Sequence, residues 1–274
     1  VTAATTQTAC VLCLSGLDPS GGAGIQADIE AISAMGAHAL PVVTTLTVQN
    51  SVNVIATQPV DGNLIRQQVS TLVADFQIQA IKIGLIDSPE TLKVVAQILA
   101  DMPDIPVIAD PVLKAGGGFD FDTADLLTLY RKLIIPATWV LTPNTDELRR
   151  LVPDSASQES AANELLSAGC EFVLVTGTHD NTESVINRLY AQDARIPAQQ
   201  WSWPRLTGSY HGSGCTLASA LAACIAKGLS ISDSAQQAQN FTWHALNNGF
   251  RPGSGQHFPN RRPASGTVDM PLLE

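Results

Sequence analysis

The 274-residue chain is 45% hydrophobic and only 15% charged, with a formal net charge of −10. That balance supplies a substantial core, which excludes a disordered chain, and without any Lys/Arg-rich run it argues against a nucleic-acid surface. An acidic protein does not draw in an anion through its overall field. Any phosphate it handles must meet local backbone donors, a few cations or a bound metal.

In chain order, the pattern predicts a strand over 10–15 and a helix over 24–35 with Ile25, Ile29 and Ile32 on one stripe. A strand rich in β-branched residues follows over 41–48, then a helix over 61–76 whose Ile65, Val69, Leu72 and Phe76 recur at helical spacing. Short buried strands over 80–86 and 107–109 flank a helix carrying Leu92, Val95 and Leu99. A helix over 126–133, a strand over 139–141, helices over 146–151 and 159–168 and a strand over 172–175 come next. Residues 185–190 and 199–203 read as antiparallel strands near one edge, and helices over 214–227 and 232–247 close the pattern. Residues 249–274, rich in Gly, Pro and Arg, are expected to be irregular. Apolar strands alternating with helices predict one α/β domain over 1–274, a mostly parallel sheet with helices on both faces. In such sheets ligands bind beyond the carboxyl ends of the strands, so each loop after a strand is a candidate wall.

Five scattered cysteines, an odd number in a chain of this size, fit a reducing compartment. Cys10 and Cys13 form a C-x-x-C, but inside an apolar strand, where a structural role is expected rather than redox or zinc chemistry. No apolar run approaches membrane-spanning length and no secretory leader is visible, so a cytoplasmic location is the expectation.

The loop Gly16-Leu17-Asp18-Pro19-Ser20-Gly21-Gly22-Ala23-Gly24 follows the first strand. Its glycines let backbone approach a ligand closely, and its spacing is not that of a dinucleotide fingerprint. Asp110-Pro111-Val112 ends another strand, where the carboxylate either holds Mg²⁺ or merely forms an Asp-Pro turn. Asn144 and Glu147 can form a capping box or stand near a metal–phosphate cluster; spacing does not separate the two. Thr176-Gly177-Thr178-His179 either lines a nucleotide pocket or is an ordinary polar loop. The most informative stretch is His211-Gly212-Ser213-Gly214-Cys215, which opens a helix. Its orphan N–H groups and the helix dipole face an incoming anion, and the thiol placed there is expected to have a lowered pKa.

Together these segments resemble the ribokinase-like kinases, and within them the hydroxymethylpyrimidine/phosphomethylpyrimidine kinases of thiamine biosynthesis. The likeness is carried by residues 15–28, Val48-Gln49-Asn50, Lys82-Ile83-Gly84-Leu85, Asp110-Pro111-Val112, Asn144-x-x-Glu147 and residues 211–216. Cys215, where sugar kinases of the superfamily carry aspartate, points to the pyrimidine and pyridoxal branch. The resemblance implies a three-layer ribokinase-like sandwich and ATP-dependent phosphorylation of 4-amino-5-hydroxymethyl-2-methylpyrimidine, then of its monophosphate. It implies that Gly16, Asp18, Ala23, Asp28, Thr47, Gln49, Leu85, Val112 and His211 surround the pyrimidine, with Gln49 pairing to the ring. Asn144, Thr176, Gly177 and His179 would bind ATP, and Asp110 and Glu147 would hold Mg²⁺. Backbone amides of Gly212, Ser213, Gly214 and Cys215 would receive the phosphoryl group, with Cys215 beside the attacking hydroxyl. A homodimer is the expected assembly, with neither nucleic acid nor membrane as partner. Thr176 departs from the family, in which a lysine often precedes the glycine; Lys114 and Arg205 are the candidates to supply that charge. The rival readings are a pyridoxal kinase and a non-catalytic pyrimidine sensor.

Overall fold

The computed structural model describes residues 8–262, except 122 and 181. Nine strands form one sheet in the order β3-β2-β1-β4-β5-β6-β7-β8-β9. Strand β1 (Cys10–Leu17) leads through α1 (Gly24–Ala34) to β2 (His38–Gln49) and the edge strand β3 (Val54–Pro59). Helix α2 (Gly62–Asp75) carries the chain back to β4 (Ile78–Ile83) on the other side of β1. Then follow α3 (Pro89–Ala100), β5 (Val107–Ala109), α4 (Ala124–Leu129), β6 (Val140–Leu141), α5 (Thr145–Leu151) and α6 (Gln158–Ser167). Strands β7 (Phe172–Val175), β8 (Ser184–Ala191) and β9 (Gln199–Pro204) precede α7 (Ser213–Ala226) and α8 (Ile231–Asn247).

Strands β2, β1, β4, β5, β6 and β7 run parallel, while β3, β8 and β9 pair antiparallel at the two edges. Because β1 lies between β2 and β4, the strand order reverses there, and the crevice of a doubly wound sheet opens at such a point. Alternation along the strands builds the layers. Leu12, Leu14, Ile81 and Ile83 pack with α2, α3 and α6 on one face. Val11, Cys13, Ala80 and Ile108 pack with α1, α7 and α8 on the other. Each such fully buried aliphatic side chain stabilises the fold by roughly 1.5–3 kcal/mol. Cys10 and Cys13 fall on opposite faces, as residues three apart on a strand must, and all five cysteines are free.

Four departures from the sequence pattern have physical causes. Ile29 is 40% exposed, and the buried stripe of α1 runs through Ile25, Asp28 and Ile32 instead. Strand β3 escapes a pattern search because it is a largely exposed edge ending in Pro59. The helix expected over 126–133 breaks into α4, a π-helical turn (Tyr130–Ile134) and a 3₁₀ turn (Ile135–Ala137) where Pro136 follows. Residues 84–86 leave the sheet after β4, with Leu85 at the cleft wall and Ile86 in the core. The irregular segment expected over 249–274 is seen over 249–262, where it makes isolated bridges only; 263–274 lie outside the described residues. No helix among the described residues is long and apolar enough to cross a membrane.

Candidate active site

The carboxyl ends of the central strands enclose a cleft of about 510 Å³, within the range of small-molecule sites. The loop after β1 is organised by Asp18. Its carboxylate accepts from Ser20 N–H (2.8 Å), Ser20 Oγ (2.7 Å) and Ala23 N–H (2.9 Å), and lies 2.7 Å from His211 Nε2. Burial pushes the Asp18 carboxyl up, but hydrogen bonds from His211 and Ser20 outweigh it and hold it below the usual range. Gly24 requires its glycine: φ is +59°, and a Cβ would lie 2.2 Å from the Gly16 carbonyl. Gly16, Asp18 and Ala23 line the cleft, and so does His211, which ties the loop to the start of α7.

Thr47, Gln49, Leu85 and Val112 complete that end of the cleft. Thr47 Oγ1 donates to the Leu17 carbonyl (2.9 Å), fixing β2 against the loop. Asp28 does not join them. It is fully buried beneath the wall, 2.7 Å from Lys82 Nζ, with Ser219 Oγ donating to it at 2.6 Å. The expectation that Asp28 touches substrate is therefore corrected: its partners are structural. Lys82 also reaches Ser15 Oγ at 3.0 Å. Burial works to lower the lysine's pKa, yet Asp28 foremost, then Cys215 and Asp110, hold it above its usual value.

Asp110, just beyond β5, is buried, and its Oδ2 has no hydrogen-bond partner among the described residues. Burial pushes its pKa to about 6, Lys82 pulling down and Asp28 up. Glu147 is driven well above the carboxylate range by burial and then by Asp110. A buried carboxyl with an orphaned oxygen, and a second, half-buried carboxyl that it raises, suit a hard divalent cation. No group of three or more His, Cys, Asp or Glu gathers among the described residues, so such a cation would complete its shell with phosphate and water oxygens. The capping box is also present. Asn144 Oδ1 accepts from the N–H groups of Asp146 and Glu147, both at 2.9 Å, and Glu147 Oε2 accepts from Asn144 N–H at 2.9 Å. Since Asn144 and Glu147 also line the cleft, the structural and the functional reading of this pair coexist.

Thr176 pairs with the start of α5 through Pro143 and Thr145 and lines the cleft, as do Thr178 and His179. Gly177 sits outside the wall, its N–H donating to Asn187 Oδ1 at 3.1 Å. A direct nucleotide contact from Gly177 is thus corrected to a supporting one. Of the two cations considered, Arg205 spends its guanidinium on the carbonyls of Thr178, Asp180 and Thr182 at 2.8–2.9 Å, whereas Lys114 is exposed at the cleft.

Helix α7 begins where these walls meet. Gly212, its N-cap, is left-handed at φ 81°, and no side chain among the described residues caps the turn. The first N–H groups, from Ser213 to Cys215, therefore face the cleft as orphan donors. Cys215 contradicts one expectation. Burial pushes its thiol up to about 12, with Asp110 and Asp28 adding to the rise over the downward pull of Lys82. The helix start does favour a thiolate, but enclosure beside carboxylates outweighs it. The thiol keeps its proton at neutral pH. Two residues that pattern reading missed come from the irregular segment. Gln256 lines the cleft and donates to Ser209 Oγ at 2.6 Å, and Arg261 is buried behind α7. Neither carries a periodic signal.

A parallel sheet with a glycine loop at its switch point, paired carboxyls and an uncapped helix start defines a ribokinase-like kinase. Residues 18–260 match the profile of phosphomethylpyrimidine kinase, and the chain belongs to that family. It is 34% identical over 253 residues to the hydroxymethylpyrimidine/phosphomethylpyrimidine kinase of Streptomyces coelicolor, covering 89% of this chain and 91% of the relative. The crystal structure of a phosphomethylpyrimidine kinase from Clostridium difficile superposes with a TM-score of 0.75 at 27% identity, over 86% of this chain and 99% of that one. A Bacillus subtilis pyridoxal kinase in complex with ADP superposes at 0.83 and 24% identity, over 93% and 97%, and shares the fold.

Proposed function

We propose that this protein, as one kinase domain, transfers the γ-phosphoryl group of ATP to the hydroxymethyl of 4-amino-5-hydroxymethyl-2-methylpyrimidine, and then phosphorylates the monophosphate. The observation that carries this reading is the uncapped turn of α7, which lines one cleft together with Gln49, Leu85, Asp110 and Glu147. Phosphoryl transfer asks a protein mainly for alignment and charge stabilisation, and these parts supply both.

In this reading Gln49, Leu85 and Val112 hold the ring, while Asp18 and His211 lock the loop over it. Asn144, Thr176 and His179 stand on the nucleotide side with Lys114. Asp110 and Glu147 would hold Mg²⁺, which when bound neutralises charge on the phosphates. The amides of Gly212 to Cys215 receive the transferred group. With its proton retained, Cys215 serves as a hydrogen-bonding positioner of the acceptor rather than as a thiolate base. The expected homodimer stays part of the proposal, exposed Val48 and Ile55 offering an apolar strip on β2 and β3 for it to cover.

Incubation with the pyrimidine alcohol, ATP and magnesium should yield the mono- and then the diphosphorylated species by mass. Faster turnover of pyridoxal would reassign the substrate, and ligand binding without ADP release would make the protein a sensor. Cys215→Ala is expected to lower kcat about 10²-fold, the loss typical of one removed donor, while pyrimidine Kd by calorimetry stays within about threefold. Equal losses in both would contradict the positioning role.

A further inference from the structure

The irregular segment after α8 delivers Arg261 into the protein, 2% exposed and outside the cleft wall. Its guanidinium donates in three directions. Nε reaches Thr216 Oγ1 at 2.8 Å, Nη1 reaches Glu30 Oε2 at 3.2 Å, and Nη2 reaches the Gly22 carbonyl. Gly22 belongs to the loop after β1, Glu30 to the helix that loop opens, and Thr216 to the first turn of α7. One side chain therefore joins the loop of the pyrimidine end to the turn with the free N–H groups.

The contact with Thr216 carries further. Arginine offers only donors, so the Thr216 hydroxyl must accept from it and turn its own proton elsewhere. That proton goes to the Gly212 carbonyl at 2.7 Å, which also accepts from Thr216 N–H at 3.0 Å. The carbonyl of the N-cap is thus held in the helix. Packing between the two loops is tight as well, since a Cβ on Gly212 would lie 1.9 Å from Gly22 O and 2.8 Å from Arg261 Nη2. Lysine, a point charge with a single head, cannot span three acceptors in a planar fork.

We propose that Arg261 is a positioning residue that fixes the phosphoryl-receiving turn of α7 against the substrate loop, governing turnover while touching neither substrate. This rests on the kinase reading above. Misplacing a catalytic turn by an ångström costs about 10²-fold in rate, and ground-state binding by the rest of the cleft is little changed.

The experiment measures kcat and both KM values for the wild type, Arg261→Lys, Arg261→Ala and Thr216→Val, with circular dichroism to follow folding. Arg261→Lys should lose about 10²-fold in kcat with both KM values within about threefold. Millimolar guanidinium should restore Arg261→Ala in a saturable way, by about tenfold, and leave Thr216→Val, slowed through the same relay, unchanged. A lysine variant at wild-type kcat, a loss confined to KM, a folded alanine variant deaf to guanidinium, or unfolding of both Arg261 variants would each overturn the proposal. A wild type that phosphorylates nothing would instead sink the kinase reading and this inference with it.

Discussion

Lys82→Met is expected to destabilise the protein by about 3–5 kcal/mol, the usual cost of removing one partner from a buried ion pair. Lys82 and Asp28 are both fully buried at 2.7 Å, and Asp28 Oδ2 already lacks a hydrogen-bond partner among the described residues. Methionine fills the volume but leaves the carboxylate with Ser219 alone. The double variant Lys82→Met/Asp28→Leu removes both charges and should regain most of the loss, because apolar replacement of a whole buried pair is often neutral. Urea unfolding of the three proteins decides the matter. A single-variant loss below about 1 kcal/mol would mean that the pair is as weak as a surface salt bridge.

Gly212→Ala is the second large effect. The residue is left-handed at φ 81°, and an added Cβ would lie 1.9 Å from the Gly22 carbonyl, a backbone atom with no side-chain freedom to yield. The left-handed conformation alone costs a non-glycine residue about 1–2 kcal/mol, and the clash must push the two loops apart. Turnover should fall at least about 10²-fold, with a lower melting temperature. Gly214→Ala is the contrast. Its Cβ would meet Asp110 at 3.5 Å, an ordinary contact, so the melting temperature should hold while turnover falls. Indistinguishable melting curves for the two variants would show that the Gly22–Gly212 approach is looser than drawn.

Where chemistry followed local pattern, it was legible in the sequence. The alternation of apolar strands with helices defined the layers, and glycines at 212 and 214 after the last strand marked the uncapped turn. Asn144 and Glu147 announced a capping box by spacing, and the box is there. What depended on distant partners was not legible. Asp28 looked like a ligand residue because its own segment is rich in site motifs, yet its partner Lys82 lies 54 residues away. The Cys215 thiol looked acidified because the helix start is local, whereas the carboxylates that add to its enclosure come from the loop after β5 and from α1. Gln256 and Arg261 sit in a stretch with no period at all, so only three-dimensional placement reveals them.

The cleft is sewn shut by long stitches. Asp18 meets His211 across 193 residues, and Gly22 meets Arg261 across 239. Contacts so remote in sequence are closed late, after the strands and helices between them have formed. A chain emerging from the ribosome must therefore present Arg261 before its two loops can be drawn together, and competence for phosphoryl transfer should lag behind the gain of secondary structure during refolding.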